Sequence, residues 1–106
     1  MKLTETEKEQ ITKGVLGFAV MSQLEREEQY GIQLLGNLQK TPLKTKAGTL
    51  YPLLNKLHKT GAITHRWETS AFGPARKYYQ ITPAGKKHLS ELRAHWKTIT
   101  KVIEGK

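Results

Sequence analysis

The last third of the chain carries Leu89, Leu92, Trp96, Ile99 and Ile103 at spacings of 3, 4, 3 and 4, the a/d seam of a helix that packs along its length. Thr82-Pro83 opens this helix, with Thr as N-cap and Pro at the first helical position. It should therefore run for roughly 22 residues, about 33 Å. A chain of 106 residues builds one domain with one modest core. The seam could pack on that core, but it is longer than so small a domain covers. The spacing favours a helix whose outer part meets a second subunit.

The rest of the chain divides into shorter elements. Thr4-Glu5-Thr6-Glu7 has the form of a capping box, and behind it Ile11, Val15, Phe18 and Ala19 form a helical stripe reaching about Leu24. Gly14 and Gly17 interrupt it, which suggests close approach of another helix. The run EREEQ reads as a solvated turn or helix end, and YGIQLLGNLQ as a short second helix with Ile32, Leu35 and Leu38 inward. Residues 62–69 and 75–82 alternate as strands, with TSAFGP between them and Gly73-Pro74 as turn chemistry. Ile63 and Ile81 are expected in the core, Arg66 and Lys77 outward, and one of Tyr78 and Tyr79 inside. The expected order is helix, helix, helix, hairpin, helix.

Between the second helix and the hairpin lies TKAGTLYPLLNKL, residues 45–57. Leu50, Leu53, Leu54 and Leu57 mark one helix face, with Thr45 as its N-cap and Gly61 fitting the position after its end. Pro52 interrupts the pattern, since proline removes a helical hydrogen bond and crowds the carbonyl four residues back. That position holds Gly48, and both lie away from the leucines with Asn55, Lys56 and Lys59. The pair reads as a bend in the outer face, the glycine leaving room for the proline ring and keeping the surface low.

Charge says what that outer face is for. The net charge is +9, from 18 Lys+Arg against 9 acidic residues, all of them Glu. Residues 1–39 hold 4 basic and 6 acidic residues, whereas residues 40–106 hold 14 and 3. So strong a basic excess suggests a polyanionic partner. Three helices and a basic hairpin have the layout of a winged helix-turn-helix, in which the third helix enters the major groove and the wing reaches phosphates. Lys44 and Lys46 then lie where helix N-terminal N–H groups meet phosphate, Asn55 can read an adenine edge, and Arg76-Lys77 suits a phosphate grip.

At this point YGIQLL, GTLYPLLNKLHKTGAI and GPARKYYQITPAG are together similar to the PadR family of bacterial winged-helix transcriptional regulators, in its short form. The resemblance runs from about Val15 to the end. It implies a homodimer formed through the first and last helices, with Val15, Phe18, Leu89, Leu92, Trp96, Ile99 and Ile103 as candidate contacts. It also implies repression from a palindromic operator on double-stranded DNA. Carried over, Lys46, Thr49 and Tyr51 meet DNA from the recognition helix, and Arg76 and Lys77 do so from the wing. With Lys44, Thr45, Gly48, Pro52, Asn55, Lys56 and Arg66 these make up the candidate DNA interface. The wing-tip stretch Glu68-Thr69-Ser70-Ala71-Phe72 departs from a basic tip.

Trp96 also suggests a cleft for a flat aromatic effector. His88, Glu91 and His95 share a helix side, but a solvated flank explains them better than a metal, and no metal or cofactor is expected. The chain has no cysteine, which excludes thiol chemistry and fits the reducing cytoplasm. No signal peptide, membrane span, phosphate loop or nucleophile–base motif is present. The rival to DNA binding is a winged helix that binds protein instead. One domain is expected, residues 1–82 forming the winged unit and 83–106 the dimerisation helix.

Overall fold

The computed structural model describes residues 1–105. Seven elements follow in order: α1 (Glu5–Arg26), β1 (Gln29–Tyr30), α2 (Gly31–Gln39), α3 (Ala47–Lys59), β2 (Ile63–Ser70), β3 (Gly73–Ile81) and α4 (Pro83–Glu104). The expected helix-helix-helix-hairpin-helix order is present, with one addition. β1 joins the hairpin to make an antiparallel sheet of order β1-β3-β2.

Local chemistry starts α1 and α4 and ends α3 as anticipated. Thr4 Oγ1 accepts from the Glu7 N–H at 3.1 Å, and Glu7 Oε1 accepts from the Thr4 N–H at 2.9 Å. At the end of α3, Gly61 takes a left-handed φ of 83°. Its N–H donates to the His58 carbonyl at 3.1 Å, and the Ala62 N–H to Leu57 at 3.0 Å. These two bonds close the helix in a Schellman motif. Thr82 caps α4, its Oγ1 accepting from the Gly85 N–H at 2.9 Å.

One core holds these elements together. It joins Leu16, Val20, Met21 and Leu24 of α1 to Leu34 and Leu38 of α2, Leu50 and Leu54 of α3, Ile63 and Tyr79 of the sheet, and Leu89 of α4. Tyr79 is thus the inward tyrosine. Buried Gln29 ties α1, β1 and α2 through hydrogen bonds with Gln23 and Asn37.

Several expectations need correction. α1 has a second apolar face besides the stripe of Ile11, Val15, Phe18 and Ala19: Leu16, Val20, Met21 and Leu24 are its fully buried residues, while Phe18 and Ala19 pack only partly against the core. In α2 the inward pair is Leu34 and Leu38, while Ile32 stays 73% exposed. The helix begins at Gly31, and Tyr30 is spent on the sheet. The hairpin turn is Ala71-Phe72, with Ser70 opposite Gly73, so Gly73-Pro74 open β3 instead of forming the turn.

Thr45 does not cap α3. Lys46 occupies that position without a side-chain cap, whereas Thr45 is buried and its carbonyl accepts from Gln39. Packing of this β-branched side chain outweighs a capping bond worth about 1 kcal/mol.

Candidate nucleic-acid interface

The start of α3 is a candidate anion-binding end. Among the described residues no side chain caps it, which leaves N–H groups of its first turn directed outward. Gln39, Lys44, Thr45 and Lys46 line a shallow hollow of ≈ 370 Å³ beside it. Lys44 and Lys46 are exposed on its rim.

Along α3, at about 100° per residue, Gly48, Pro52, Asn55 and Lys59 form the ridge opposite Leu50 and Leu54, and all four are exposed. Thr49 and Lys56, also exposed, flank the ridge toward α1, and Lys56 reaches the cleft described below. Tyr51 flanks it on the other side, half-buried over Gly31. A Cβ on Gly48 would meet nothing within 4 Å. The glycine is therefore not making room for the Pro52 ring, and what it does is keep the ridge low.

The register assigns the wing residues to two faces. Trp67 stands opposite Lys77 and His65 opposite Tyr79, on the face that meets α3. Here the His58 ring of α3 lies 4.7 Å from His65, and the Lys77 ammonium sits 5.5 Å from the Trp67 ring centroid. His65 Nδ1 is buried and finds no hydrogen-bond partner among the described residues. Burial first, then the Lys77 charge and His58, lower the His65 pKa. This histidine pair escaped the sequence reading, because nothing in the alternation indicates that α3 reaches β2 at that height.

Arg66 and Arg76 project from the opposite face. Arg66 is not a free outward cation: its Nε donates to Glu28 at 3.1 Å, its Nη2 bonds the same carboxylate, and Nη1 lies 3.3 Å from Glu68. The Glu28 bonds hold its guanidinium firmly charged. Arg76 lies over the Tyr30 ring, 4.6 Å from its centroid.

α1, α4 and one flank of α3 bound an apolar cleft of ≈ 980 Å³. Val15, Phe18, Leu92, Trp96, Ile99 and Ile103 line it, with Leu53 and Leu57 of α3 at its floor. Phe18 meets Trp96 edge-on at 6.4 Å. Trp96 remains 44% exposed and Ile103 77%. Leu89 belongs elsewhere: it is fully buried in the chain's own core, so it is no part of an exposed seam. His88 and His95 stand at the cleft wall; among the described residues no cluster of three or more metal-ligating side chains occurs.

Three helices with a positively charged third, and a hairpin beside it, define a winged helix-turn-helix protein. The chain belongs to the transcriptional regulator PadR-like family, whose model matches residues 20–91. It is 31% identical over 78 residues to Transcriptional regulator Rv3488 of Mycobacterium tuberculosis, covering 74% of this chain and 72% of that protein. The solved structure of a PadR-like regulator from Bacillus cereus is similar at 33% identity and TM-score 0.81, over 91% of this chain and 94% of the other. A PadR family regulator from Eggerthella lenta is similar at 32% identity and TM-score 0.84, over 91% and 84%. The chain is accordingly a DNA-binding transcriptional regulator and not an enzyme. Among the described residues, no helix is long and apolar enough to cross a membrane.

Proposed function

We propose that this chain is a homodimeric repressor, acting in the cytoplasm, that binds a palindromic operator and is released by a small aromatic effector. The uncapped, lysine-flanked start of α3 carries the reading. It presents N–H groups and two cations to phosphate while the low ridge of Gly48, Pro52 and Asn55 faces the base edges. Thr49, Tyr51 and Lys56 flank that contact, and Arg76 and Lys77 meet the neighbouring backbone.

The dimer reading is supported by the apolar faces left open on α1 and α4. Val15, Phe18, Leu92, Trp96, Ile99 and Ile103 line one continuous cleft, the kind of surface that a two-fold partner covers. The same cleft, with the aromatic Phe18–Trp96 corner at its wall, suits a flat ligand.

In-vitro selection of bound duplexes tests the function. The expected product is a palindrome with half-sites centred about one helical turn, or a multiple of it, apart. Affinity should fall steeply with salt, each phosphate-bound lysine contributing about one to the log–log slope. Recovery of no preferred sequence would favour the protein-binding alternative. Repeating the selection with aromatic compounds present reveals the effector as loss of the bound duplex.

A further inference from the structure

Apart from Arg76, the outward face of the sheet carries a run of side chains that the proposed DNA contact leaves unused. Glu28, between the end of α1 and β1, accepts from Arg66 of β2 and from Gln80 of β3. The Arg66 guanidinium lies 4.9 Å from the Tyr78 ring centroid, Tyr78 meets Tyr30 edge-on at 5.5 Å, and Arg76 covers Tyr30. Tyr30 immediately precedes α2.

This arrangement solves a mechanical problem. Beyond the core contacts of Ile63 and Tyr79, the wing is joined to the start of α2 through β1, which pairs with β3 at only two positions, Gln29–Tyr79 and Tyr30–Tyr78. So short a ladder resists rotation of the hairpin weakly. β1 does not pair with β2 at all, because β3 lies between them. Glu28 reaches across β3 and takes hold of β2 through Arg66.

We propose that Arg66 is a positioning residue held by Glu28, and that this pair sets the wing's pitch against α2 and α3 instead of contacting DNA. The inference rests on the DNA-facing reading of the wing. Three observations carry it. The Arg66 donors are directed to two carboxylates. The Glu28 carboxyl is held below its ordinary pKa by Arg66 and then Gln80, so the clamp is charged at neutral pH. Finally, a carboxylate beside a phosphate-binding wing repels DNA, so its presence there needs a reason other than DNA contact.

The test measures affinity against salt concentration for the duplex recovered by selection on the parent protein, whose own binding checks the underlying reading. Glu28→Gln removes a negative charge, and simple electrostatics would have it tighten binding. The positioning role has it weaken binding by roughly tenfold, within the range of a coupled pair. Arg66→Gln should cost the same, and the double variant should be no worse than either single change. The salt slope should stay at the parent value throughout. Arg66→Lys should fail to restore affinity, because an ammonium lacks the fork that grips Glu28.

Both side chains are partly exposed, so the hairpin persists in these variants. Glu28→Asp, which keeps the charge but withdraws it by one methylene, should lose affinity as Glu28→Gln does. Unchanged or tighter binding by either Glu28 variant overturns the proposal. So does a slope that flattens by about one in Arg66→Gln and returns in Arg66→Lys, since that is the mark of a phosphate contact.

Discussion

A Cβ placed on Gly85 would lie 2.0 Å from the carbonyl oxygen of Ala62. That carbonyl also accepts the Thr82 N–H at 3.1 Å, and Thr82 Oγ1 lies 2.6 Å from the Gly61 carbonyl oxygen. The first turn of α4 is thereby locked onto the junction where α3 hands over to β2. The helix that bounds the cleft and the helix proposed to face DNA share this one joint.

Gly85→Ala should therefore destabilise the protein even though alanine is the better helix former. The obstacle is backbone, which cannot rotate away, and overpacking of this kind costs about 2–3 kcal/mol against a propensity gain of about 1. Urea unfolding checks it: an unchanged midpoint would mean that the joint is looser than its geometry.

Gly48→Ala should do the reverse. Its Cβ meets nothing within 4 Å, so the helix gains about 1 kcal/mol and the thermal midpoint rises. If the ridge approaches DNA closely, the methyl group weakens selected-duplex binding in the same variant. Pro52→Ala tests the companion position, leaving the fold intact while operator affinity changes. Higher stability with undiminished affinity in Gly48→Ala would remove the ridge from the interface.

Acid should loosen the contact between wing and recognition helix. His65 has a folded pKa below its unfolded value of about 6.5, because burial, Lys77 and His58 disfavour its cation. The unfolded chain thus binds more protons in this range. The stability due to neutral His65 is present above the unfolded pKa and is lost as pH falls through the depressed folded one. His58 from α3, and His65, Trp67, Lys77 and Tyr79 from the sheet, are the groups that meet there. Urea midpoints from pH 7 to pH 5 should drop more steeply for the parent than for His65→Gln; parallel curves would exclude the effect.

Trp96→Ala should fold normally but associate less. Trp96 is 44% exposed in the single chain, so the deletion removes little from the core beyond the edge of Phe18. At the centre of a subunit interface the same deletion costs at least about 2 kcal/mol of association. Sedimentation over a concentration series reads the difference. If the Trp96→Ala dimer keeps every ligand response of the parent, the aromatic effector site is elsewhere.

Some of this architecture was open to direct reading, because it depends on neighbours in sequence. The capping box at Thr4, Gly61 after α3 and Thr82-Pro83 before α4 act within one helical turn, and each is found as expected. The leucine face of α3 has one apolar side, so its direction was unambiguous. The core face of α1 was not legible, because the helix has two apolar sides and periodicity does not say which a given chain buries. β1 was missed because two residues make no pattern. The candidate interface divides in the same way: Lys44, Lys46 and Asn55 could be located from local spacing, but Arg66 could not be recognised as occupied. Lys77, expected outward with Arg66, lies on the opposite face against Trp67 and Tyr79, because β2 and β3 pair Arg66 with Tyr78.

What the sequence determined by itself was the order of the four helices and the hairpin, the caps of α1 and α4 and the end of α3, the basic character of α3 and the wing, and a final helix with more apolar length than one core needs. Tertiary structure alone decided which face of α1 lies inside, that Gly31 and Gly85 are glycines because Tyr51 and Ala62 press on them, and that Arg66 answers to Glu28. The physical reason is distance along the chain. Hydrogen-bonding caps and helical stripes repeat within a few residues, whereas Glu28 and Arg66 are 38 positions apart and are brought together only when the sheet closes on the helices.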